Sequence, residues 1–150
     1  MIRNVNHVSI TVRDVDKVVA FFKETFGLTT VWPTYEYRGE MIDRVTGLPG
    51  THLKITKVEV GDVILEFIQY LSPQGRDLAL KTNDIGCPHI GFIVDDIEGM
   101  YKSLLAKGVR FKSSPQWNTD RSHPMFGWGI AYMWGPEDMT LELMQPPSNT

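Results

Sequence analysis

The residues predict an α+β fold made of two tandem βαβββ modules, and two internal matches carry that expectation. Asn6-His7-Val8-Ser9-Ile10-Thr11-Val12-Arg13-Asp14-Val15-Asp16 aligns with Pro88-His89-Ile90-Gly91-Phe92-Ile93-Val94-Asp95-Asp96-Ile97-Glu98 at a constant offset of 82. Val63-Ile64-Leu65-Glu66-Phe67-Ile68-Gln69 then matches Met139-Thr140-Leu141-Glu142-Leu143-Met144-Gln145, with Leu, Glu and Gln identical in register. Each half opens with a histidine ahead of an alternating apolar segment and closes with a glutamate. A duplicated unit of this kind changes how isolated histidines and carboxylates are read.

The elements follow in order from periodicity. Residues 5–12 and 88–94 alternate and are β-rich, so each reads as an opening strand. Asp14 and Asp96 then offer a side-chain oxygen to cap a helix. Val15, Val18, Val19, Phe22 and Phe26 fall on one stripe of the first helix, and Ile97, Met100, Tyr101, Leu104 and Leu105 on one stripe of the second. Gly27 and Gly108 stand where helices stop. Short strands are expected over 29–38, 51–60 and 62–70 in the first half and over 109–112, 129–134 and 139–145 in the second. The whole chain, 1–150, is expected to be a single domain, with module 1 at about 4–72, module 2 at about 86–146 and a connector at about 73–85. Segments 39–50 and 113–128 interrupt the strand pattern and are expected as loops over a site.

Composition narrows the function. With 42% apolar and 22% charged residues the chain has the balance of a soluble globular protein. A net charge of −3 supplies no field for a polyanion, so nucleic acid is not expected as a partner. The single cysteine, Cys87, builds no internal disulfide, and no basic-then-apolar leader or long apolar run is visible, so a cytoplasmic location without membrane insertion is expected.

Strand alternation sorts the side chains by face. Val8, Ile10 and Val12 form the helix-facing row of the first strand, leaving His7, Ser9 and Thr11 opposite; Ile90, Phe92 and Val94 leave His89, Gly91 and Ile93 opposite. In the closing strands Glu66 lies between Ile64 and Ile68 on its face, and Glu142 between Thr140 and Met144. An ionised carboxylate among apolar neighbours is costly unless it is paired or binds a cation. His7, Glu66, His89 and Glu142 together make a mixed N/O ligand set for a divalent first-row metal, with two octahedral positions left for water or substrate.

The His…Glu…His…Glu order on paired βαβββ units, together with Gly47-Leu48-Pro49-Gly50 ahead of a strand, resembles the vicinal oxygen chelate superfamily over about residues 4–146. That superfamily contains glyoxalase I, methylmalonyl-CoA epimerase, extradiol dioxygenases and metal-free bleomycin-resistance proteins. The resemblance implies a cupped mixed sheet with helices on its outer face, and places metal ligands at His7, Glu66, His89 and Glu142. It implies one divalent ion (nickel, cobalt, manganese, zinc or iron) and a small-molecule substrate with adjacent oxygen atoms. It also implies an isomerase, epimerase or lyase that removes a proton next to a carbonyl held by the metal, through an enolate or enediolate. Similarity to glyoxalase I makes Glu142 or Glu66 the proton shuttle. Similarity to methylmalonyl-CoA epimerase points to a further carboxylate from the first half, among Glu36, Glu40 and Asp43, with Glu40 favoured. An extradiol-type dioxygenase is the runner-up, though four protein ligands suit proton transfer better than oxygen activation. A metal-free binding protein of the bleomycin-resistance type is the non-enzymatic alternative. A homodimer is the default assembly.

The remaining chemistry-bearing residues read more plainly. His52 and His123 have no counterpart in the other half and are expected at a loop or surface; Cys87 is expected as a small structural residue. Arg38, Arg44, Lys54 and Arg121 offer charge to a substrate carboxylate or phosphate, or simply solubility. Trp32, Trp117, Trp128 and Trp134 are candidates to line a cup, with Met125-Phe126-Gly127-Trp128 at its mouth.

Overall fold

The computed structural model describes residues 1–148. They form two compact units, divided between Leu78 and Ala79. The first contains strand β1 (Val8–Thr11), helix α1 (Val15–Phe26), β2 (Thr30–Arg38), helix α2 (Glu40–Thr46), β3 (His52–Val60) and β4 (Val63–Ser72). The second contains β5 (His89–Ile93), helix α3 (Ile97–Ala106), β6 (Gln116–Trp117), β7 (Gly129–Trp134), a 3-10 turn (Pro136–Asp138) and β8 (Thr140–Gln145). Each unit is a four-stranded mixed sheet, in the orders β1-β4-β3-β2 and β5-β8-β7-β6. The first strand of each lies parallel to the last, and the other pairings are antiparallel. The α+β class and the two tandem βαβββ-like modules are therefore as expected.

In both modules the helix is seated by the same two devices. Asp14 accepts hydrogen bonds from the backbone N–H of Asp16 and Lys17, and Asp96 from that of Gly99. Both occupy N-terminal donors that a helix leaves unpaired. The repeated glutamine supplies the second device. The side-chain oxygen of Gln69 accepts from Val15 N at 3.2 Å, and that of Gln145 from Ile97 N at 2.8 Å, tying each helix start to the closing strand of its own sheet. Of the α1 stripe, Val15, Val18 and Phe22 are buried; of the α3 stripe, Ile97 and Leu104 are, while Leu105 lies exposed. Helix α1 packs on β3 and β4, and α3 on β7 and β8.

Two expectations need correcting. Segment 39–50 is not a loop: it holds α2, bounded by Gly39 and Gly47 at φ 120° and 72°, backbone angles that glycine adopts without strain. Its Ile42 packs on Leu53 and Ile55, with Ile68 and Tyr70 alongside. Asp43 accepts from the N–H groups of Gly50 and Thr51, closing the return to β3. The strand expected at 109–112 contributes a single bridge, Phe111 to Met133. The edge of the second sheet breaks at Ser113-Ser114-Pro115, where proline has no N–H to offer a ladder, and resumes as β6 inside the expected 113–128 loop.

On the helix side of the first sheet, Thr56 is 1% exposed and its hydroxyl has no hydrogen-bond partner among the described residues. A buried unsatisfied hydroxyl costs about 1–3 kcal/mol, and valine suits a strand interior. Thr56→Val is therefore expected to raise stability by about 1 kcal/mol in denaturant titration. A lower midpoint would show that the hydroxyl is satisfied in solution.

Candidate functional site

Each module brings its histidine and glutamate together by the same piece of parallel pairing. Ser9 lies across from Glu66, and Gly91 from Glu142, so the histidine two residues earlier reaches the carboxylate diagonally. His7 Nε2 stands 3.3 Å from Glu66 Oε1, and His89 Nε2 stands 3.3 Å from Glu142 Oε2. Both glutamates are buried and both histidines partly open. In the first module Asn6 Oδ1 is 2.8 Å from His7 Nδ1; a carbonyl oxygen only accepts, so Nδ1 donates. The Nε2 lone pair of the neutral ring then faces a carboxylate oxygen. Two acceptors at that distance call for a proton or a cation between them, and imidazole with carboxylate is suitable donor chemistry for a divalent first-row ion. Among the described residues no group of three or more His, Cys, Asp or Glu side chains is arranged to hold a metal; each module by itself offers a pair.

The two carboxylates differ in their surroundings. Opposite Glu66 on β3 stands Lys57, whose Nζ is 3.1 Å from Glu66 Oε2 and 5.3 Å from the centre of the Trp32 ring. Opposite Glu142 on β7 stands Tyr132 instead, with its ring centre 5.7 Å from that of His89. Burial pushes the Glu142 carboxyl above its ordinary pKa, and the neighbouring His89 offsets this only in part. The Tyr132 hydroxyl is likewise raised, first by burial and then by the Glu142 charge. Beside them Lys112 Nζ reaches Thr140 Oγ1 at 3.0 Å and sits 4.4 Å from the Trp134 ring centre. Gly91 leaves the room that Glu142 needs, since a Cβ there would lie 3.2 Å from Oε2.

The other expected site residues scatter. Glu40 begins α2, exposed, with its carboxylate 2.8 Å from Arg44. Glu36 is taken by His52 at 2.7 Å, and Asp16 by Lys54 at 2.5 Å. His123 Nδ1 accepts from Met125 N within its own turn, and Arg121 lies over the exposed Phe126 ring. Trp117 packs over Gly129 and its Nε1 donates to Glu98; Trp128 is half-buried. Cys87 is half-buried beside Pro88. Lys57 and Tyr132 were not among the expected site residues. Their equivalence lies in the strand register, each standing across from its module's glutamate, and not in a shared residue type.

The chain is similar to known proteins over nearly its whole length. The family described as Glyoxalase/Bleomycin resistance protein/Dioxygenase superfamily matches residues 4–126. A 2-epi-5-epi-valiolone epimerase from Actinomyces sp is 30% identical over 148 residues, covering 96% of this chain and 80% of that protein. A glyoxalase family protein from Bacillus cereus superposes with a TM-score of 0.81 at 24% identity, over 99% of this chain and 97% of that one. The fosfomycin resistance protein FosX from Listeria monocytogenes, solved with Mn(II) and a sulfate ion, superposes with a TM-score of 0.60 at 17% identity, over 99% and 96%. Among the described residues no helix is long and apolar enough to cross a membrane.

Proposed function

Because the chain belongs to the glyoxalase/bleomycin resistance protein/dioxygenase superfamily, we propose that it is a divalent-metal-dependent epimerase or isomerase acting on a small polyoxygenated ketone, with His7, Glu66, His89 and Glu142 as the cation's ligands. The observation that carries this reading is the repeated 3.3 Å imidazole–carboxylate pair on equivalent parallel strands. The likeness to an epimerase over nearly the whole chain supports the reaction class. A cation in this donor set supplies Lewis-acid stabilisation of the negative charge that develops on the substrate oxygen when a neighbouring C–H is deprotonated.

The chain's own residues divide the remaining work unequally. Glu66 is engaged through both oxygens, by His7 on one side and Lys57 on the other, which suits an anchoring anion. Glu142 is desolvated, with a raised carboxyl pKa, which suits a group that takes a proton and returns it. It is therefore our choice of base over Glu66, and over Glu40, whose charge is spent on Arg44 at the surface. Tyr132 and Gly91 shape the space around Glu142, one by covering it and the other by giving it room.

The test is anaerobic incubation of the Mn(II)-loaded protein with 2-epi-5-epi-valiolone and a panel of α-hydroxyketones in deuterated water, followed by NMR. Solvent deuterium entering at the carbon next to the carbonyl is the expected result. No uptake across the panel, combined with oxygen consumption by the iron-loaded protein on catechols, would replace this reading with the dioxygenase one.

A further inference from the structure

We infer that Lys57 is a built-in counter-cation that competes with the divalent ion for Glu66 and thereby sets how tightly the protein holds its metal. This rests on the proposed metal-dependent function and adds the residue that tunes it. Lys57 is held in place rather than free on a surface. Its side chain is 15% exposed, its Nζ lies 3.1 Å from a carboxylate that is itself 9% exposed, and the Trp32 ring lies 5.3 Å away. The register makes the pairing direct, since Lys57 is the residue across from Glu66 on the middle strand. In the second module the corresponding position holds Tyr132, and Glu142 has no ammonium across from it.

The consequence is an asymmetry between two otherwise repeated pairs. With Oε1 toward His7 and Oε2 toward Lys57, Glu66 already has its negative charge matched. A divalent ion drawing on Glu66 must displace the ammonium or stand near it, and like charges at a few ångströms in a partly desolvated setting repel strongly. Removing the ammonium therefore has two effects of opposite sign. The metal-free chain loses the partner of a buried carboxylate and becomes less stable. The carboxylate, released, binds a cation more tightly. A purely structural lysine would show the first effect alone.

The experiment measures Mn(II) affinity of the full chain by calorimetry, and by the paramagnetic resonance signal of free Mn(II), for wild type, Lys57→Met, Lys57→Arg and His89→Ala. Lys57→Met is expected to bind Mn(II) on the order of ten times more tightly while its metal-free form melts lower. Lys57→Arg, which keeps the charge, is expected to stay near wild type. In a Glu66→Gln background, replacing Lys57 is expected to lose its roughly tenfold effect on Mn(II) affinity, because the coupled partner is gone. Should Lys57→Met fail to fold, Lys57→Gln takes its place. Unchanged or weaker Mn(II) binding in folded Lys57→Met, or in Lys57→Gln where it takes its place, overturns the inference. If wild type binds Mn(II) and His89→Ala does not, that failure leaves the metal reading standing. If wild type binds no Mn(II), both fall together.

Discussion

Glu142→Gln is expected to leave the chain folded and to slow solvent-deuterium exchange into substrate by roughly 10²–10⁴-fold, the range that a positioned general base contributes. The replacement keeps the shape of a buried side chain on a central strand, so packing around Leu141 and Leu143 is undisturbed. What it removes is the capacity to accept a proton at Oε2, 3.3 Å from His89. Stability need not fall, because burial already disfavours the ionised form of this carboxyl. Glu66→Gln is the informative contrast: it should weaken Mn(II) binding and leave Lys57 without its partner, yet cost less of the exchange rate once the protein is metal-saturated. An unchanged exchange rate in Glu142→Gln, with the loss appearing instead in Glu40→Gln, would move the base to the start of α2.

What could be read from the residues alone was whatever the two halves share. His7 and His89, Glu66 and Glu142, and Gln69 and Gln145 stand out because each pair recurs in register, and each proves to have the same structural task in both modules. What escaped was whatever the halves do not share. Helix α2 is seven residues long, too short for a helical period to show, and rests on contacts between Ile42 and strand residues far along the chain. Strand β6 has two residues, and only backbone pairing with Gly129 and Ile130 defines it. Lys57 and Tyr132 differ in chemistry, so the repeat conceals their equivalence; it emerges only from the cross-strand register. A pattern of side-chain types reports burial and face, but which neighbour a charge meets is decided by pairing between distant strands.

Phe22→Ala is expected to carry the largest cost in stability, about 3–5 kcal/mol, a considerable part of the roughly 5–15 kcal/mol that holds a domain folded. Phe22 is fully buried, and its ring lies 5.3 Å from Phe67 and 5.9 Å from Phe21 and Phe26. Alanine leaves a hole that α1 and the sheet cannot close without moving helix or strand. Phe22→Leu, which fills most of the volume, should cost about 1.5 kcal/mol or less. The link to chemistry runs through β4, where Phe67 points to the helix and its neighbour Glu66 to the opposite face, so a shift of the strand toward the hole carries the carboxylate with it. Well below its melting temperature Phe22→Ala should still exchange deuterium, whereas Glu142→Gln should lose exchange without a matching fall in melting temperature. A Phe22→Ala protein that melts like wild type would mean that α1 does not pack on the sheet as described, and the placement of Glu66 would have to be reconsidered with it.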